Sequence, residues 1–348
     1  MIEFKQGNLL EEKAEALVNT VNCVGVMGKG IALQFKQAFP ENFRQYEKAC
    51  RAGEVKPGRM FTVQTGNIFY PRYIINFPTK RHWRGKSKIE DIKSGLVALV
   101  AEVRQLGINS IAIPPLGCGN GGLNWAAIKP LIESAFTELP DVQVVIFEPS
   151  VAPAAEKIRV ATPTPNMTRA RALFISLLEL YGIPGYRLTK LEIQKLAYFL
   201  QIAGEPLKLR YVKHQYGPYA ENLYHVLQRL EGHYIRGYGD GTTGNAEIYV
   251  LPAGREAAQS FLEKEPDAQK RLERVSRLID GFETPYGLEL LATVHWVAQE
   301  EPKAAKDSQV AIALVHQSSD RKRQIFTEQH IRKAWQRLDQ ENWINSSK

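Results

Sequence analysis

Apolar and polar positions follow two rhythms along this chain. Up to about residue 150, short apolar runs alternate with stretches of helical spacing, and beyond residue 166 helical spacing dominates. Ile2 and Phe4 alternate with Glu3 and Lys5, which predicts a half-buried strand. The unbroken run Ala16 to Val21 predicts a strand covered on both faces. Further strands are predicted at Met60 to Val63, Tyr73 to Phe77, Ser110 to Ile113 and Val142 to Phe147. Between them, Ile31 to Phe39 has helical spacing and is stopped by Pro40. Ile89 to Leu106 is amphipathic and is closed by Gly107, and Trp125 to Leu139 is a third helix. Strands separated by helices imply an α/β/α sandwich of three layers around a largely parallel, mixed sheet.

The rhythm breaks in a proline-rich seam: Pro149, Pro153, Pro163 and Pro165, with small residues between them, can continue neither a helix nor a central strand. This divides the chain into a domain over 1–155, a linker over 156–166 and a mainly helical domain over 167–348. In the second part, Thr168 to Tyr181 reads as a helix ended by Gly182-Ile183-Pro184. Thr189 and Glu192 have the spacing of a capping box, for a helix through Ala203 that turns Leu191, Leu196, Phe199 and Leu200 to a core. Ala220 to Leu230 is a further helix. Tyr234 to Tyr238 and Glu247 to Leu251 suggest a hairpin around Gly239-Asp240-Gly241, which hints at a winged helix. Four more helices are expected, ending at Trp343.

Composition narrows the class. The 348 residues are 44% hydrophobic and 24% charged, as in ordinary globular proteins. The formal charge of +8 is spread evenly, with 18 basic against 14 acidic residues up to position 155 and 27 against 23 after it. Anionic partners fit that balance. Cys23, Cys50 and Cys118 are too few for a disulfide framework or a zinc site, and His214, His225, His233, His295, His316 and His330 lack ligand spacing, most of them being expected at the surface. The opening residues do not read as a signal peptide, and no apolar run reaches the roughly 20 residues of a membrane helix. The expectation is a cytoplasmic protein without metal or cofactor.

Candidate chemistry lies in two glycine-rich turns, each following a buried strand and leading into a helix: Asn22 to Ala32 and Pro114 to Leu123. Glycine lets backbone N–H groups approach a ligand closely, and the positive end of the next helix points to the same spot. Either loop alone reads as a tight turn. Two in matched context fit a diphosphate beyond the carboxyl ends of the strands. The first loop lacks the ending of a P-loop and the spacing of a dinucleotide fingerprint.

Gly7-Asn8-Leu9, Val18 to Asn22, Gly25 to Ala32 and Pro114 to Leu123 together resemble the macrodomain family, which binds ADP-ribose. The form Val-Met-Gly-Lys-Gly-Ile-Ala, with Thr79-Lys80 later, looks like the branch of terminal ADP-ribose glycohydrolases and of the DNA ADP-ribosyl glycohydrolase antitoxins, the DarG family. The long second domain favours the DarG family. The resemblance, over about residues 1–150, implies removal of ADP-ribose from thymidine in single-stranded DNA, reversing a DarT-type ADP-ribosyltransferase toxin. It places Asn8 and Leu9 at the adenine, Asn8 standing where the family usually has Asp. It places Asn22 at the distal ribose, and Gly28, Lys29, Gly30 and Ile31 with Gly117, Cys118, Gly119, Asn120, Gly121 and Gly122 around the diphosphate. Lys80 matches a lysine that acts on the anomeric carbon of the distal ribose. Some relatives carry an acid where this chain has Gly121.

An amine is nucleophilic only when unprotonated, and burial or neighbouring positive charge lowers its pKa; Arg81 and the two helix N-termini are the expected sources of that charge. After Lys80 come Arg81, His82, Trp83, Arg84, Lys86 and Lys88, basic residues around an aromatic, as a single strand requires. The second domain carries no catalytic constellation. Lys190 to Phe199 with Tyr216-Gly217-Pro218 resembles the Panacea antitoxin domain over that short segment, and the family resemblance implies that this half binds the toxin. Three other readings stay open: a hydrolase of ADP-ribosylated protein, an ADP-ribose reader without catalysis, and a DNA-binding regulator with a sensory macrodomain.

Overall fold

The computed structural model describes residues 1–181, 187–244 and 246–344. The chain forms two compact units. The first is Met1–Pro163 with Gly239–Thr243, and the second is Thr164–Tyr238 with Gly244–Lys348.

The first unit is a six-stranded sheet of β1 (Ile2–Lys5), β2 (Ala16–Asn22), β3 (Phe61–Gln64), β4 (Tyr73–Lys80), β5 (Ser110–Ile113) and β6 (Gln143–Phe147), in the order β1-β6-β5-β2-β4-β3. All neighbours are parallel except β3, which pairs antiparallel with β4 at one edge. Successive residues of a strand face opposite layers. Val18, Ile75, Ile111 and Val144 pack with α3 (Ile89–Leu106) and α4 (Trp125–Phe136). Their neighbours Leu17, Ile74, Ala112 and Val145 pack on the other face with Phe35 of α1 (Gly30–Ala38). This is the expected three-layer mixed sandwich. On α3, Gly95 lies so close to Phe77 that a Cβ would sit 2.2 Å from the ring, so helix and sheet meet without a gap.

Every predicted strand of this half forms, with shifted ends. Pro40 stops α1 as expected, and it also opens α2 (Pro40–Arg51), because proline suits the first turn of a helix, where no N–H is needed. The seam is tighter than a free linker. Ile158 is buried, the Ala161 N–H donates to the Gln37 carbonyl at 2.8 Å, and Arg159 lies over the Phe39 ring.

The second unit contains α5 (Arg169–Tyr181), α6 (Lys190–Ile202), β7 (Tyr211–His214), β8 (Gly217–Ala220), α7 (Leu223–Leu230), β9 (Ile235–Arg236), β10 (Tyr249–Val250), α8 (Pro252–Leu262), α9 (Pro266–Ile279), α10 (Pro285–Glu300), α11 (Pro302–Lys306), α12 (Ser308–Gln317), α13 (Asp320–Ile325) and α14 (Glu328–Gln340). The capping box of α6 forms as expected: Thr189 receives the Glu192 N–H and Glu192 receives the Thr189 N–H. Residues 182–186, the expected stop of α5, lie outside the described residues. Gly217 and Pro218 enter β8, paired antiparallel with β7, and the helix expected from Ala220 begins at Leu223 because Ala220 still belongs to that strand. The predicted hairpin appears as β9 and β10, two residues each; this pairing does not by itself make a winged helix. Among the described residues seven helices, not four, follow it, because several open on a proline inside what reads as one continuous stretch. His295 is also not at the surface. It is fully buried, bonded to the Tyr198 hydroxyl at 2.7 Å, and burial holds it neutral with its pKa pushed down to about 4. Among the described residues no helix is long and apolar enough to cross a membrane.

Candidate active site

The site begins with a flaw in the sheet. Strands β2 and β4 run in register from Ala16 with Tyr73 to Val21 with Pro78, and then one residue is skipped so that Asn22 pairs with Lys80. Pro78 has no N–H to give to a ladder, and a bulge is where a sheet tolerates that. Bulges re-aim the side chains beyond them. Lys80 therefore ends β4 beside the first residue of the first glycine loop. The Cys23 N–H donates to the Arg81 carbonyl at 3.2 Å, continuing the seam between the two strands into the loops. Below the bulge the register is pinned by amides in the core. Asn19 donates to Asn76, its register partner, at 3.0 Å, and Asn76 donates to Asn42 of α2 at 2.7 Å.

Asn22 braces the first loop from within. Its Nδ2 donates to the Val26 carbonyl at 2.6 Å, and its Oδ1 receives the N–H groups of Val24 and Val26. Tyr46 donates its hydroxyl to the Asn22 carbonyl at 2.7 Å. The loop leads through Gly28 and Lys29 into α1, whose N-terminus has no side-chain cap. Gly30 takes a φ of +63°, which favours glycine, and its N–H donates to the carbonyl of Asp240 within the same unit. Ile31 is partly buried against the core beneath the loop.

The second loop differs. Its helix, α4, is capped by Asn124, whose side chain accepts the Ala126 N–H. The start of α4 thus has an N–H taken by a side chain, whereas at the start of α1 the bonded N–H, that of Gly30, goes to a backbone carbonyl. What the second loop offers is its own backbone: among the described residues, the N–H groups of Gly119, Asn120 and Gly121 have no acceptor. Successive N–H groups of this kind form an anion-binding concavity. Gly117 at φ +71° and Gly122 at φ +78° shape the turn. Cys118 is half-buried and its thiol is pushed up to about 11 by burial, so it stays protonated. Among the described residues no group of three His, Cys, Asp or Glu is placed to hold a metal ion.

Lys80 joins the two loops. Its ammonium donates to the Asn120 carbonyl at 3.2 Å, and the Cys23 thiol lies 3.5 Å from its carbonyl. Burial lowers its pKa from the ordinary lysine value, and no neighbouring cation adds to that shift. Arg81, expected to supply the field, is neutralised by Asp91 of α3. In the basic segment, Trp83 is 37% exposed, with His82 stacked on it and the Arg84 guanidinium 4.5 Å from its ring centre. Lys86 and Lys88 are exposed and make no ion pair among the described residues.

Asn8 and Leu9 stand apart from this cluster in their bonding. Asn8 caps a short helical turn, accepting the Leu10 N–H and donating to Glu11. Leu9 is buried in the core against Phe35. Gly121 is tied to the basic segment: its carbonyl accepts the Ser87 N–H at 3.0 Å, and a Cβ at 121 would lie 2.2 Å from the Ser87 hydroxyl. Ser87 and Asp91 escaped sequence reasoning, because nothing in a Lys-Ser-Lys run or a helix start announces a partner far along the chain.

The model of the Macro domain matches residues 18–132. A DNA ADP-ribosyl glycohydrolase of Thermus aquaticus is 52% identical over 86% of this chain and 83% of its own length. One from Mycobacterium tuberculosis is 44% identical over 97% of this chain and 99% of its own length. A DNA ADP-ribosyl transferase-DNA ADP-ribosyl glycohydrolase fusion protein of Thermosipho africanus is 35% identical over 42% of each chain.

Proposed function

The chain belongs to the DNA ADP-ribosyl glycohydrolase family, hydrolases of the ADP-ribose linkage, and from that premise we propose that its first unit frees ADP-ribose from thymidine in single-stranded DNA with Lys80 as nucleophile. The observation that carries this reading is Lys80 itself: a half-buried amine on the last residue of a central strand, register partner of Asn22 and in contact with the second glycine loop. A ligand whose diphosphate lies along the loops presents its distal ribose to that amine.

The free amine attacks the anomeric carbon while the bond from that carbon to the thymine nitrogen breaks. The base leaves as a delocalised imide anion and takes a proton from water. Water then cleaves the sugar–lysine adduct, returning the amine and giving ADP-ribose. No carboxylic acid contacts Lys80 among the described residues, and an imide leaves without one. The diphosphate fits the free N–H groups of Gly119, Asn120 and Gly121 with the uncapped start of α1. Asn22 holds the loop that faces the ribose, and Asn8 and Leu9 form the adenine end. The segment Arg81 to Lys88 follows the strand, Trp83 offering a face to a base and Lys86 and Lys88 meeting phosphates.

The second unit binds and neutralises a DarT-type transferase. Its support is the long helical unit outside the macrodomain, and the existence of a relative in which transferase and glycohydrolase share one chain. Incubating the full chain with mono-ADP-ribosylated single-stranded DNA and with ADP-ribosylated protein, and measuring released ADP-ribose, tests the substrate. Release from protein alone overturns the DNA reading, and no release from either reduces the site to a reader.

A further inference from the structure

Ser87 is wedged into the second glycine loop. Its side chain is 7% exposed. A Cβ at Gly117 would meet the Ser87 Cβ at 3.1 Å and its hydroxyl at 3.2 Å, and one at Gly121 would meet the hydroxyl at 2.2 Å. The loop is therefore folded around this serine, and two of its glycines leave the room. Main-chain bonds fix the arrangement, since the carbonyls of adjacent residues Asn120 and Gly121 accept from the Lys80 ammonium and the Ser87 N–H.

The wedge ends in an oddity. The Ser87 hydroxyl is sealed from solvent and has no hydrogen-bond partner among the described residues. Buried hydroxyls are nearly always bonded, and an orphan calls for a reason. Alanine would fill most of the same space with nothing left unpaired. The Gly117 carbonyl oxygen lies 2.3 Å from the same point that the hydroxyl approaches at 2.2 Å, and it accepts the Leu123 N–H at 3.0 Å, which leaves it one lone pair for a second donor.

The geometry points to Ser87 as a positioning residue for the ADP-ribose diphosphate: its hydroxyl is unbonded in the free protein and donates to the Gly117 carbonyl when the loop turns its N–H groups onto the ligand. The loop then holds the diphosphate in a shape stabilised by a bond that exists only in the complex. This rests on the reading of the two loops as the diphosphate site.

The test is Ser87→Ala in the full chain, with ADP-ribose as the probe. The free protein should melt no lower than wild type, because an unpaired buried hydroxyl has been removed. ADP-ribose should bind about tenfold more weakly, the worth of one hydrogen bond. KM for the modified strand should rise in parallel while kcat stays within about threefold, as for an interaction equal in ground and transition states. Ser87→Cys, a weak donor of similar shape, should fall between the two. Unchanged ADP-ribose affinity in Ser87→Ala overturns the proposal and leaves the diphosphate site standing. A lowered melting temperature with reduced affinity makes Ser87 merely structural and also overturns it. Wild-type protein that fails to bind ADP-ribose removes the reading of the site, and this inference with it.

Discussion

Arg81 and Asp91 are joined by two parallel hydrogen bonds, Nη1 to Oδ2 at 2.8 Å and Nη2 to Oδ1 at 3.0 Å. The aspartate side chain is 8% exposed and the arginine 60%, so the arginine covers a carboxylate that has little other solvation. Arg81→Ala should therefore destabilise the first unit by about 1–2 kcal/mol in urea unfolding, the cost of leaving a buried charge unpaired, reduced by the arginine's own exposure. The same pairing limits its value to DNA. Lys86→Gln and Lys88→Gln should each reduce the salt slope of single-strand binding by about 0.7, with Arg81→Gln changing it less. Equal slopes for all three would remove the distinction.

Lys80→Ala should reduce ADP-ribose release at least about a hundredfold while leaving ADP-ribose affinity within a few-fold, measured by turnover and calorimetry. The rate of the wild type should rise with pH as the amine loses its proton. Because burial lowers that pKa, the rising limb should lie below the ordinary lysine value of 10.5. The uncharged Lys80→Met protein should melt close to wild type at neutral pH, since a half-buried charge and its bond to the Asn120 carbonyl are lost together. Wild-type turnover by either variant excludes Lys80 as nucleophile, and borohydride should trap the sugar adduct of the wild type if its ring opens to the Schiff base.

Two glycines of one loop should respond in opposite ways. A Cβ at Gly119 would have nothing within 4 Å, so Gly119→Glu should fold with an unchanged melting temperature. Its carboxylate would then face the bound diphosphate and weaken ADP-ribose at least about tenfold by repulsion. At Gly121 the Cβ would strike the Ser87 hydroxyl at 2.2 Å and the Gly117 carbonyl at 2.3 Å. Gly121→Ala should cost stability, about 1–3 kcal/mol, before any ligand is added. Thermal scans with and without ADP-ribose separate the two.

In the second unit, Lys195 of α6 is buried and donates to the Pro218 carbonyl at 2.7 Å, and burial pushes its pKa from 10.5 down to about 7. The unfolded chain therefore binds the extra proton between those two values. Its contribution to stability should grow as pH rises from about 7 toward 10.5 and be flat below. Lys195→Met should remove that rise, which urea unfolding of the full chain across this range would reveal.

A cut after residue 155 should cost the first unit more than a cut after 163. Ile158 and the Ala161–Gln37 bond both lie between the two ends. The longer fragment is expected to melt several degrees higher, by calorimetry.

Some of this architecture was legible residue by residue. Ile89 to Leu106 forms one helix and Gly107 closes it at φ +61°, because an amphipathic run and a left-handed glycine are both local signals. The glycine loops were legible for the same reason. Asn22 was not, since the sequence cannot say whether an amide faces a ligand or bonds its own loop. Arg81 stood in a basic run, and only folding brings α3 back to pair it with Asp91. The prolines at the starts of α9, α10 and α11 each mark the first turn of a separate helix, a local signal that the expectation of four helices did not use.

Where the Lys80 side chain points depends on the residue skipped as β4 runs beside β2. Without the skip, β4 would bring Thr79 opposite Asn22 and carry Lys80 one step farther along. In a pleated strand one step reverses the face to which a side chain points. The placement of the Lys80 amine between the two loops is thus a matter of residue count in the backbone, and a one-residue shift of β4 would misplace it with every polar group of the site still present.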